Sequence, residues 1–356
     1  MLTPAACPLL QTGATSSSIG FAGSHYSKFS YPGVPYTSAD FHSDCTPDDS
    51  NATSTWDCEL ESLADLATGS GAVRTALTAY LQDLVSLGVG GFRLDSERSI
   101  PPEDVAAILD GLDSSLFVYG EVWADADAAV NPFDYTSVSN VTEFYVASAL
   151  GSAFVSGNGL SALLEYFPTS SYIPSASAVG FVADHDTERT GGAYLNSDSS
   201  NNGYTLATIF LLAQSYGTPC ILSGYDYTSY GQGAPLDSND MVRDTTCYSD
   251  GWRCEHRWDA VSRMTGFHNA AAGTEMNREV ATTENRISFG RGEIGFVLIN
   301  FESTSWAASL STSVPDGSYC DVIHQDADCT DPDITVSGGK VSTTVGAYDA
   351  VAFYAA

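Results

Sequence analysis

The sequence predicts an α/β fold in which a parallel sheet is followed by a smaller antiparallel β domain. Between about residues 63 and 274, helical segments alternate with strand segments that are apolar throughout, as is typical of parallel strands buried on both faces. After about residue 275 the helical periodicity ceases, and short strand segments are separated by turn signals. We therefore divide the chain into an irregular loop region (1–62), an α/β portion (63–274) and an all-β portion (275–356).

The elements of the α/β portion form five strand–helix units. Val73, Leu77, Tyr80, Leu81 and Leu84 recur at helical spacing. Pro102 indicates a helix start because proline is favoured in the first turn. The strand segments are GVGGFRLD, LFVYGEV, VTEFY, AVGFVADHD and TPCILSGYD. The later helices are SALGSAF, GYTLATIFLLAQSYG and RWDAVSRMTGFHNAAAG, and the all-β strands are RISFG, GEIGFVLINFES and GAYDAVAFYAA.

The composition indicates a folded and strongly acidic protein. Of its 356 residues 43% are apolar, and 44 Asp and Glu against 13 Lys and Arg give a net charge of −31. A surface of this charge repels nucleic acid and anionic membranes and leaves neutral or cationic partners. We therefore expect no nucleic-acid partner. Since no stretch is long and apolar enough to cross a bilayer, we expect no membrane partner either.

Cysteine spacing predicts disulfides and therefore a secreted protein. The close pairs lack the spacing of metal sites, so short-loop disulfides in an oxidising compartment are favoured. Cys7 and Cys220 pair with each other or stay free. The predicted disulfides are Cys45/Cys58, Cys247/Cys254 and Cys320/Cys329.

Two further features concern secretion. Asn51-Ala-Thr and Asn140-Val-Thr match the acceptor triplet for N-glycosylation. The first residues, MLTPAACPLLQTG, have neither the basic start nor the long apolar core of a signal peptide.

Three apolar strands end in acidic residues, Asp95, Glu121 and Asp186. In a parallel α/β barrel the carboxyl ends of the strands surround one mouth, where the chemistry takes place. A single acid at the end of a strand is commonly a helix cap. Three such acids, with Arg93 and His185 beside two of them, indicate a catalytic site. Clustered carboxylates suit glycoside cleavage, which needs an ionised nucleophile and a second carboxyl that holds a proton.

Arg93 and Asp95 lie two residues apart and therefore point to the same face of their strand. A guanidinium in this place favours the ionised form of Asp95. The alternative is a purely structural buried ion pair, which is rarer because burying charges is costly.

The segments GFRLDSER, VYGEV and FVADHD resemble three of the four signature segments of the alpha-amylase family, glycoside hydrolase family 13. CEHRW and YCDVI resemble the animal and actinobacterial alpha-amylases, and the likeness runs from about Phe21 to the C-terminus. The resemblance implies a (β/α)8 TIM-type barrel, of which this chain holds about the last five units, strands 4 to 8. Residues 1–62 would then be a remnant of the excursion after barrel strand 3, and the all-β portion a C-terminal Greek-key domain.

The resemblance implies a retaining endo-hydrolase of the α-1,4-glucosidic bonds of starch and glycogen, acting as a monomer. Asp95 would be the nucleophile and Glu121 the acid/base, and Asp186 would bind sugar hydroxyls. Arg93 would support Asp95, and His185 would donate a hydrogen bond to the sugar. Sister activities of the family, α-glucosidase or transglycosylase, share these residues, and a non-catalytic glucan-binding homologue is a further alternative.

Two aromatic residues, Trp123 and Tyr225, are candidates for sugar contacts, with packing inside the barrel as an equal alternative for each. For the calcium ion that the family binds, WDCELESLADLA resembles the contributing segment. Asp65 would be the carboxylate ligand, with the carbonyls of Trp56 and Ser99 as further ligands. Asp65 is equally suited to the start of the following helix.

Four departures from the family pattern concern these expectations. In the family, barrel strand 3 ends in an Asn-His dipeptide, and this chain contains no such dipeptide. Barrel strands 1 to 3 also have no counterpart in the sequence. We therefore expect an N-terminally incomplete chain that starts at an internal Met. Ser99 replaces a His whose carbonyl binds calcium. Asp184 replaces the Asn before His185, and Cys220 stands where chloride-dependent members carry a basic residue. We therefore expect no chloride activation.

Overall fold

The computed structural model of the protein describes residues 18–19, 23–123, 127–155, 159–325 and 329–355. It consists of two compact units. The first comprises the described residues up to Thr142 together with Ile173–Val179, and the second comprises Glu143–Tyr172 and the described residues from Gly180 onwards. The division by sequence texture at residues 62 and 274 stays a prediction.

The helices of the described residues are α1 Ala52–Asp57, α2 Gly71–Ser86, α3 Pro102–Leu109, α4 Phe144–Phe154, α5 Ser161–Tyr166, α6 Thr187–Thr190, α7 Gly203–Ala213 and α8 Asp259–Ala270. The strands of the first half are β1 Ser18–Ile19, β2 His25–Tyr26, β3 Gly91–Leu94, β4 Phe117–Gly120, β5 Asn140–Glu143, β6 Ala178–Phe181 and β7 Thr218–Cys220. The later strands are β8 Met276–Thr283, β9 Arg286–Arg291, β10 Gly295–Asn300, β11 Trp306–Ser311, β12 Gly317–Tyr319, β13 Ile334–Ser337, β14 Lys340–Val345 and β15 Asp349–Tyr354.

The predicted fold class is confirmed. Strands β3 to β7 form a sheet in which they follow one another in chain order, and β3 pairs with β4, and β4 with β5, in parallel. Strand β6 is buried along its whole length, as the continuous apolar run predicts. The later strands form two four-stranded sheets whose pairings are antiparallel.

The sequence explains the helices that precede and follow β3 and the close approach of β3 to β4. Helix α2 buries Val73, Leu77 and Leu81 of the predicted helical set, whereas Tyr80 is 50% exposed. Helix α3 begins at Pro102, as expected. Gly91 opens β3 where a Cβ atom would lie 2.4 Å from the carbonyl oxygen of Phe117. Only glycine therefore allows β3 to approach β4 so closely.

The C-terminal strands enclose a separate apolar core. The first sheet has the order β15-β10-β9-β8 and the second β11-β14-β13-β12, in which β11 lies beside β14 in Greek-key fashion. In β13 every second residue is buried, the alternation expected where one face of a sheet packs on a core, whereas β10 is buried at every position. The core residues include Phe296, Leu298, Trp306, Val336, Val341, Val351 and Phe353.

A buried arginine joins β9 to two helices of the second unit. Arg291 is 3% exposed, and its guanidinium donates hydrogen bonds to the carbonyl oxygens of Ala213, Gln214 and Ala271 at 2.6–3.0 Å. Its Nε donates to the Thr274 carbonyl at 3.0 Å. Three of these carbonyls lie where α7 and α8 end, so the cation satisfies helix C-termini while burial lowers its pKa.

His324 lies between two carboxylates at the edge of the C-terminal core. Its Nδ1 is 2.6 Å from Asp321 Oδ2, and its Nε2 is 3.2 Å from Asp349 Oδ1. The hydrogen bonds to Asp321 and Asp349 raise the pKa of His324 to about 10. We call these three residues the His324 cluster.

The described residues contain the three predicted disulfides, Cys45–Cys58, Cys247–Cys254 and Cys320–Cys329. Cys7 lies outside the described residues, and Cys220 is the half-buried last residue of β7, so their pairing stays a prediction. Among the described helices, none has the length and apolar character needed to cross a bilayer.

Candidate active site

The ends of β3 and β4 bring two of the predicted acids to one edge of the first unit. Asp95 follows β3 directly, and Glu121 follows β4 directly. Leu94 and Gly120 are partners in the parallel register, and the Glu121 amide donates to the Leu94 carbonyl at 2.8 Å. The sheet therefore fixes the backbones of both acids relative to each other.

One guanidinium contacts both acids. Arg93 NH1 is 2.5 Å from Asp95 Oδ1, and NH2 is 3.2 Å from Glu121 Oε2. Burial opposes the charge of Arg93, but the hydrogen bond to Asp95 and the charges of Glu121 and Asp95 raise its pKa above the ordinary value. Arg93 is therefore a permanent cation that contacts two carboxyl groups.

The residue after Asp95 supplies a backbone donor. Ser96 has φ +46° and ψ +43°, a left-handed conformation that is uncommon outside glycine. In this turn its amide donates to Glu121 Oε2 at 3.0 Å. Sequence reasoning missed this contact because it depends on a backbone conformation and not on the type of the side chain.

A buried carboxyl packs beneath the two strand ends. Glu97 has no exposed surface, and its two carboxyl oxygens lie 2.9 and 3.0 Å from the hydroxyl of Ser139. Burial raises the pKa of Glu97 to about 8, against the opposing effect of the Ser139 hydrogen bond. A Cβ atom at Gly120 would lie 1.6 Å from Glu97 Oε2, so the residue before Glu121 must be glycine in this packing.

The third predicted acid, Asp186, belongs to the second unit, where it precedes α6. Its Oδ2 is 3.2 Å from His185 Nε2, and its Oδ1 accepts a hydrogen bond of 3.4 Å from the Tyr230 hydroxyl. The side chain of Asp186 is 35% exposed, so it remains accessible to a ligand. The structure thus brings Arg93, Asp95 and Glu121 together in the first unit, and His185 and Asp186 together in the second.

Asp184, one of the departures from the family pattern, shapes the turn that carries Asp186. Its Oδ1 accepts hydrogen bonds from the amides of Asp186 and Thr187, at 3.1 and 2.7 Å, and from the Thr187 hydroxyl at 2.9 Å. In return the Thr187 hydroxyl accepts from the Asp184 amide at 2.9 Å. This reciprocal arrangement holds the segment between β6 and α6 in one conformation.

The two aromatic candidates lie in different surroundings. Trp123 is half-buried, two residues beyond Glu121. The ring of Tyr225 lies under the Arg189 guanidinium, 5.3 Å from its centroid, and makes an edge contact of 6.0 Å with Trp252. The ring of Tyr225 is therefore engaged in packing within the second unit.

Asp65, the expected carboxylate ligand of calcium, is largely buried and contacts a histidine. His42 Nδ1 is 2.5 Å from Asp65 Oδ2, and His42 Nε2 is 3.6 Å from Asp57 Oδ1. The hydrogen bond that His42 donates to Asp65 raises the pKa of His42, and burial raises the pKa of Asp65. The imidazole therefore lies between Asp65 and the end of α1.

Tyr135 contacts the side chain of Trp56 and the backbone on either side of Ser99. The Trp56 indole donates to the Tyr135 hydroxyl at 3.3 Å, and this hydroxyl donates to the Ile100 carbonyl at 2.8 Å. Ser99 ends a 3₁₀ turn, Glu97–Ser99, just before Ile100, and the Ser99 Oγ is 3.0 Å from the Ser96 Oγ. One carboxylate and two backbone carbonyls are hard oxygen donors that suit Ca²⁺, although they are fewer than the six to eight ligands that Ca²⁺ takes. No group of three or more His, Cys, Asp or Glu side chains suited to a metal occurs in the described ranges.

Comparison with known proteins identifies relatives of both portions of the chain. Residues 280–356 match the family model "Alpha amylase, C-terminal all-beta domain". The alpha-amylase of Thermomonospora curvata is 40% identical over 363 residues, which cover 96% of this chain and 57% of that protein. The alpha-amylase of Tenebrio molitor is 36% identical over 352 residues, which cover 92% of this chain and 74% of that protein. The chain thus spans little more than half of the length of its actinobacterial relative.

The solved structures agree with the sequence comparison. Alpha-amylase I of Eisenia fetida superimposes with a TM-score of 0.89 and 29% identity, covering 98% of this chain and 79% of that chain. A mutant of the same enzyme, solved as a complex with maltohexaose, gives the same TM-score and covers 80% of that chain.

Proposed function

Because the chain belongs to the alpha-amylase family, we propose that the protein is a retaining endo-hydrolase of the α-1,4-glucosidic bonds of starch and glycogen. The observation that carries the proposal is the Arg93 guanidinium, which contacts Asp95 through one nitrogen and Glu121 through the other. Carboxylates bound to one guanidinium are separated by only a few ångströms. This favours a retaining double displacement, which needs about 5–5.5 Å between the two carboxyls, over an inverting reaction, which needs more room for a water.

In the first step of this mechanism, the Asp95 carboxylate attacks the anomeric carbon of the bound glucan. The bond from that carbon to the glycosidic oxygen breaks, and Glu121 gives its proton to the departing oxygen. Arg93 supports the ionised nucleophile. The products of this step are a covalent glycosyl ester on Asp95 and a glucan fragment that leaves with a new 4-hydroxyl at its non-reducing end.

In the second step, the Glu121 carboxylate takes a proton from a water molecule. That water attacks the same anomeric carbon and displaces Asp95, so the configuration is retained and both acids return to their starting states. Asp186 binds sugar hydroxyls and favours the distorted ring of the transition state, and His185 donates a hydrogen bond to the sugar. Trp123 offers an apolar surface beside Glu121.

The substrate is an α-glucan that enters as a neutral chain. A net charge of −31 does not repel such a molecule, whereas it disfavours nucleic acid and anionic membranes. The maltohexaose complex of the Eisenia fetida mutant supports an oligosaccharide as ligand. We expect the protein to act as a secreted monomer, and its three disulfides support an oxidising compartment.

Calcium would have a structural role in this proposal. Asp65 would supply a carboxylate oxygen, and Trp56 and Ser99 backbone carbonyls, while water completes the coordination. The ion would hold the loop around α1 against the 3₁₀ turn that follows Asp95. Chloride activation is not expected, since the Asp184 carboxylate accepts three hydrogen bonds and carries a charge that disfavours an anion.

The proposal is tested by Glu121→Gln, with Glu103→Gln, an exposed acid on α3, as the matched control. We expect Glu121→Gln to lower kcat on starch by about 10²–10⁴-fold and to keep the affinity for maltohexaose, because an amide binds sugar but gives up no proton. Glu103→Gln should match the parent. Undiminished hydrolysis by Glu121→Gln would contradict the assignment.

The products separate the alternatives within the family. An endo-hydrolase releases a mixture of maltooligosaccharides from starch, an α-glucosidase releases glucose, and a transglycosylase makes chains longer than the substrate. A non-catalytic homologue would bind maltohexaose without hydrolysis, and Glu121→Gln would then leave its behaviour unchanged.

A further inference from the structure

A loop of the second unit is built around the guanidinium of Arg189. This residue lies in α6, three positions after Asp186, and its side chain is only 8% exposed. Its NH1 donates to the carbonyl oxygens of Tyr230 and Gln232, both at 2.8 Å. Two backbone positions of the loop after β7 are therefore fixed to α6, the helix that follows Asp186.

Aromatic contacts complete this anchoring. The Arg189 guanidinium lies 4.5 Å from the Tyr227 ring centroid and 5.3 Å from that of Tyr225, distances at which a cation interacts with the face of a ring. The Tyr227 hydroxyl donates to the Glu188 carbonyl at 2.7 Å. Arg189 therefore holds residues 225–232 both by hydrogen bonds and by stacking.

The loop also closes on itself. Gln232 Oε1 accepts hydrogen bonds from the amide and the hydroxyl of Thr228 at 2.7 and 3.0 Å, and its Nε2 donates to the Asp226 carbonyl at 3.2 Å. The Tyr225 hydroxyl donates to the Gln232 carbonyl at 3.3 Å. A loop with this many internal bonds presents the residues at its tip in a defined position.

The residue so presented is Tyr230. Its backbone is fixed by Arg189, yet its side chain is 60% exposed, and its hydroxyl donates to Asp186 Oδ1 at 3.4 Å. His185 lies at the other carboxylate oxygen of Asp186. An exposed tyrosine combines an apolar ring with a polar tip and loses little conformational entropy on binding, which suits it to a ligand that is itself amphipathic.

We propose that Tyr230 is a sugar-binding and positioning residue, whose hydroxyl orients Asp186 and whose ring packs against the glucose unit that Asp186 binds. The inference rests on the proposed glucan hydrolysis and adds a residue to it. The apolar C–H face of a pyranose fits an aromatic ring, and its hydroxyls fit the adjacent carboxylate and imidazole. In this arrangement Tyr230 takes the stacking role for which Tyr225 was a candidate, since the ring of Tyr225 is engaged by Arg189.

Two variants separate the ring from the hydroxyl. Tyr230→Phe keeps the ring and removes the bond to Asp186, so we expect kcat on maltooligosaccharides to fall about three- to tenfold with little change in KM. Tyr230→Ala also removes the ring, so KM should rise about five- to tenfold in addition. The matched controls are Tyr248→Phe and Tyr248→Ala, since Tyr248 is 64% exposed in the same loop region and its hydroxyl donates to the Arg257 carbonyl.

Binding is measured separately, by calorimetry with maltohexaose in the Glu121→Gln background. The affinity should fall about five- to tenfold when Tyr230→Ala is added and should stay unchanged when Tyr248→Ala is added. Because the Tyr230 side chain is mostly exposed, the Tyr230 variants should unfold at the same temperature as the parent protein. A merely structural tyrosine would not produce the separate effects on kcat and KM.

Tyr230 variants that equal the parent in kcat, KM and maltohexaose affinity would overturn the inference, as would equal losses in the Tyr248 controls. The proposed function fails differently, through undiminished hydrolysis by Glu121→Gln. A protein that binds maltohexaose without cleaving it still reports on Tyr230 through the affinities. A protein that neither binds nor cleaves glucan would overturn both.

Discussion

Replacing Arg93 by Gln should lower kcat/KM on maltooligosaccharides by about ten- to 150-fold. The parent cation lies 2.5 Å from an Asp95 oxygen and 3.2 Å from a Glu121 oxygen. At an effective dielectric constant of about 20, unit charges about 4 Å apart interact by about 4 kcal/mol, before partial exposure of the three side chains weakens the effect. A hydrogen bond to a charged group contributes about 1.5–3 kcal/mol, which corresponds to about a ten- to 150-fold change in rate.

The direction follows from the contacts of the guanidinium. Without it, the Asp95 carboxylate loses the partner that orients it, and the Glu121 carboxyl loses a contact to its Oε2. Because both acids take part in the reaction, the loss falls on the transition state and therefore on kcat/KM.

The assay is kcat/KM on a chromogenic maltooligosaccharide. Arg93→Lys keeps the charge and loses the planar fork, so it should recover only part of the parent kcat/KM. Arg243→Gln, which removes a surface cation 3.8 Å from Asp250, is the matched control and should equal the parent. A folded Arg93→Gln protein with the kcat/KM of the parent would refute the assigned role of Arg93.

Three further predictions concern stability and modification. Arg291→Met should lower the free energy of unfolding in guanidinium chloride by about 3–5 kcal/mol, because it leaves three buried carbonyls and one part-buried carbonyl without their donor. A loss below about 1 kcal/mol would contradict this. His324, whose pKa is raised to about 10, should stabilise the protein fully below its unfolded pKa of about 6.5. The difference in free energy of unfolding between the parent and His324→Gln should therefore shrink as the pH rises from about 6 to about 10, and a constant difference would count against the His324 cluster. In a eukaryotic secretory host, Asn51→Gln should abolish a glycan detected by deglycosylation, because Asn51 is exposed. Asn140→Gln should leave that glycan in place, because the Asn140 side-chain amide donates to the Val118 carbonyl inside the sheet at 2.9 Å. A glycan on Asn140 would refute this.

Much of the fold was predictable because burial leaves a clear pattern in the sequence. The segments around β3, β4, β6, β7, β9, β10 and β15 are strongly apolar, and each lies where a strand was predicted. Strands β8 and β11 to β14 were not predicted. Segments such as MNREVATT and KVSTTV are rich in polar and small residues and bury at most one face, so their pattern differs little from that of a loop.

The candidate site was predictable only in part. Asp95, Glu121 and Arg93 were found because an acid at the end of an apolar strand is visible in the sequence, and the parallel sheet then brings them together. The Ser96 amide was missed because its contact depends on a left-handed turn. Tyr230 was missed because it reaches Asp186 across 44 residues, through a loop whose shape depends on Arg189 and not on any local pattern.

The central claim is that Asp95 becomes covalently bound to the sugar during turnover. A 5-fluoro-α-glycosyl fluoride tests it most directly, because the fluoride leaves readily while the ring fluorine slows hydrolysis of the resulting ester. Mass spectrometry of proteolytic peptides should then find one glycosyl group per protein, attached to Asp95, and Asp95→Asn should remove it. A label on another residue, or turnover without any covalent intermediate, would contradict the account.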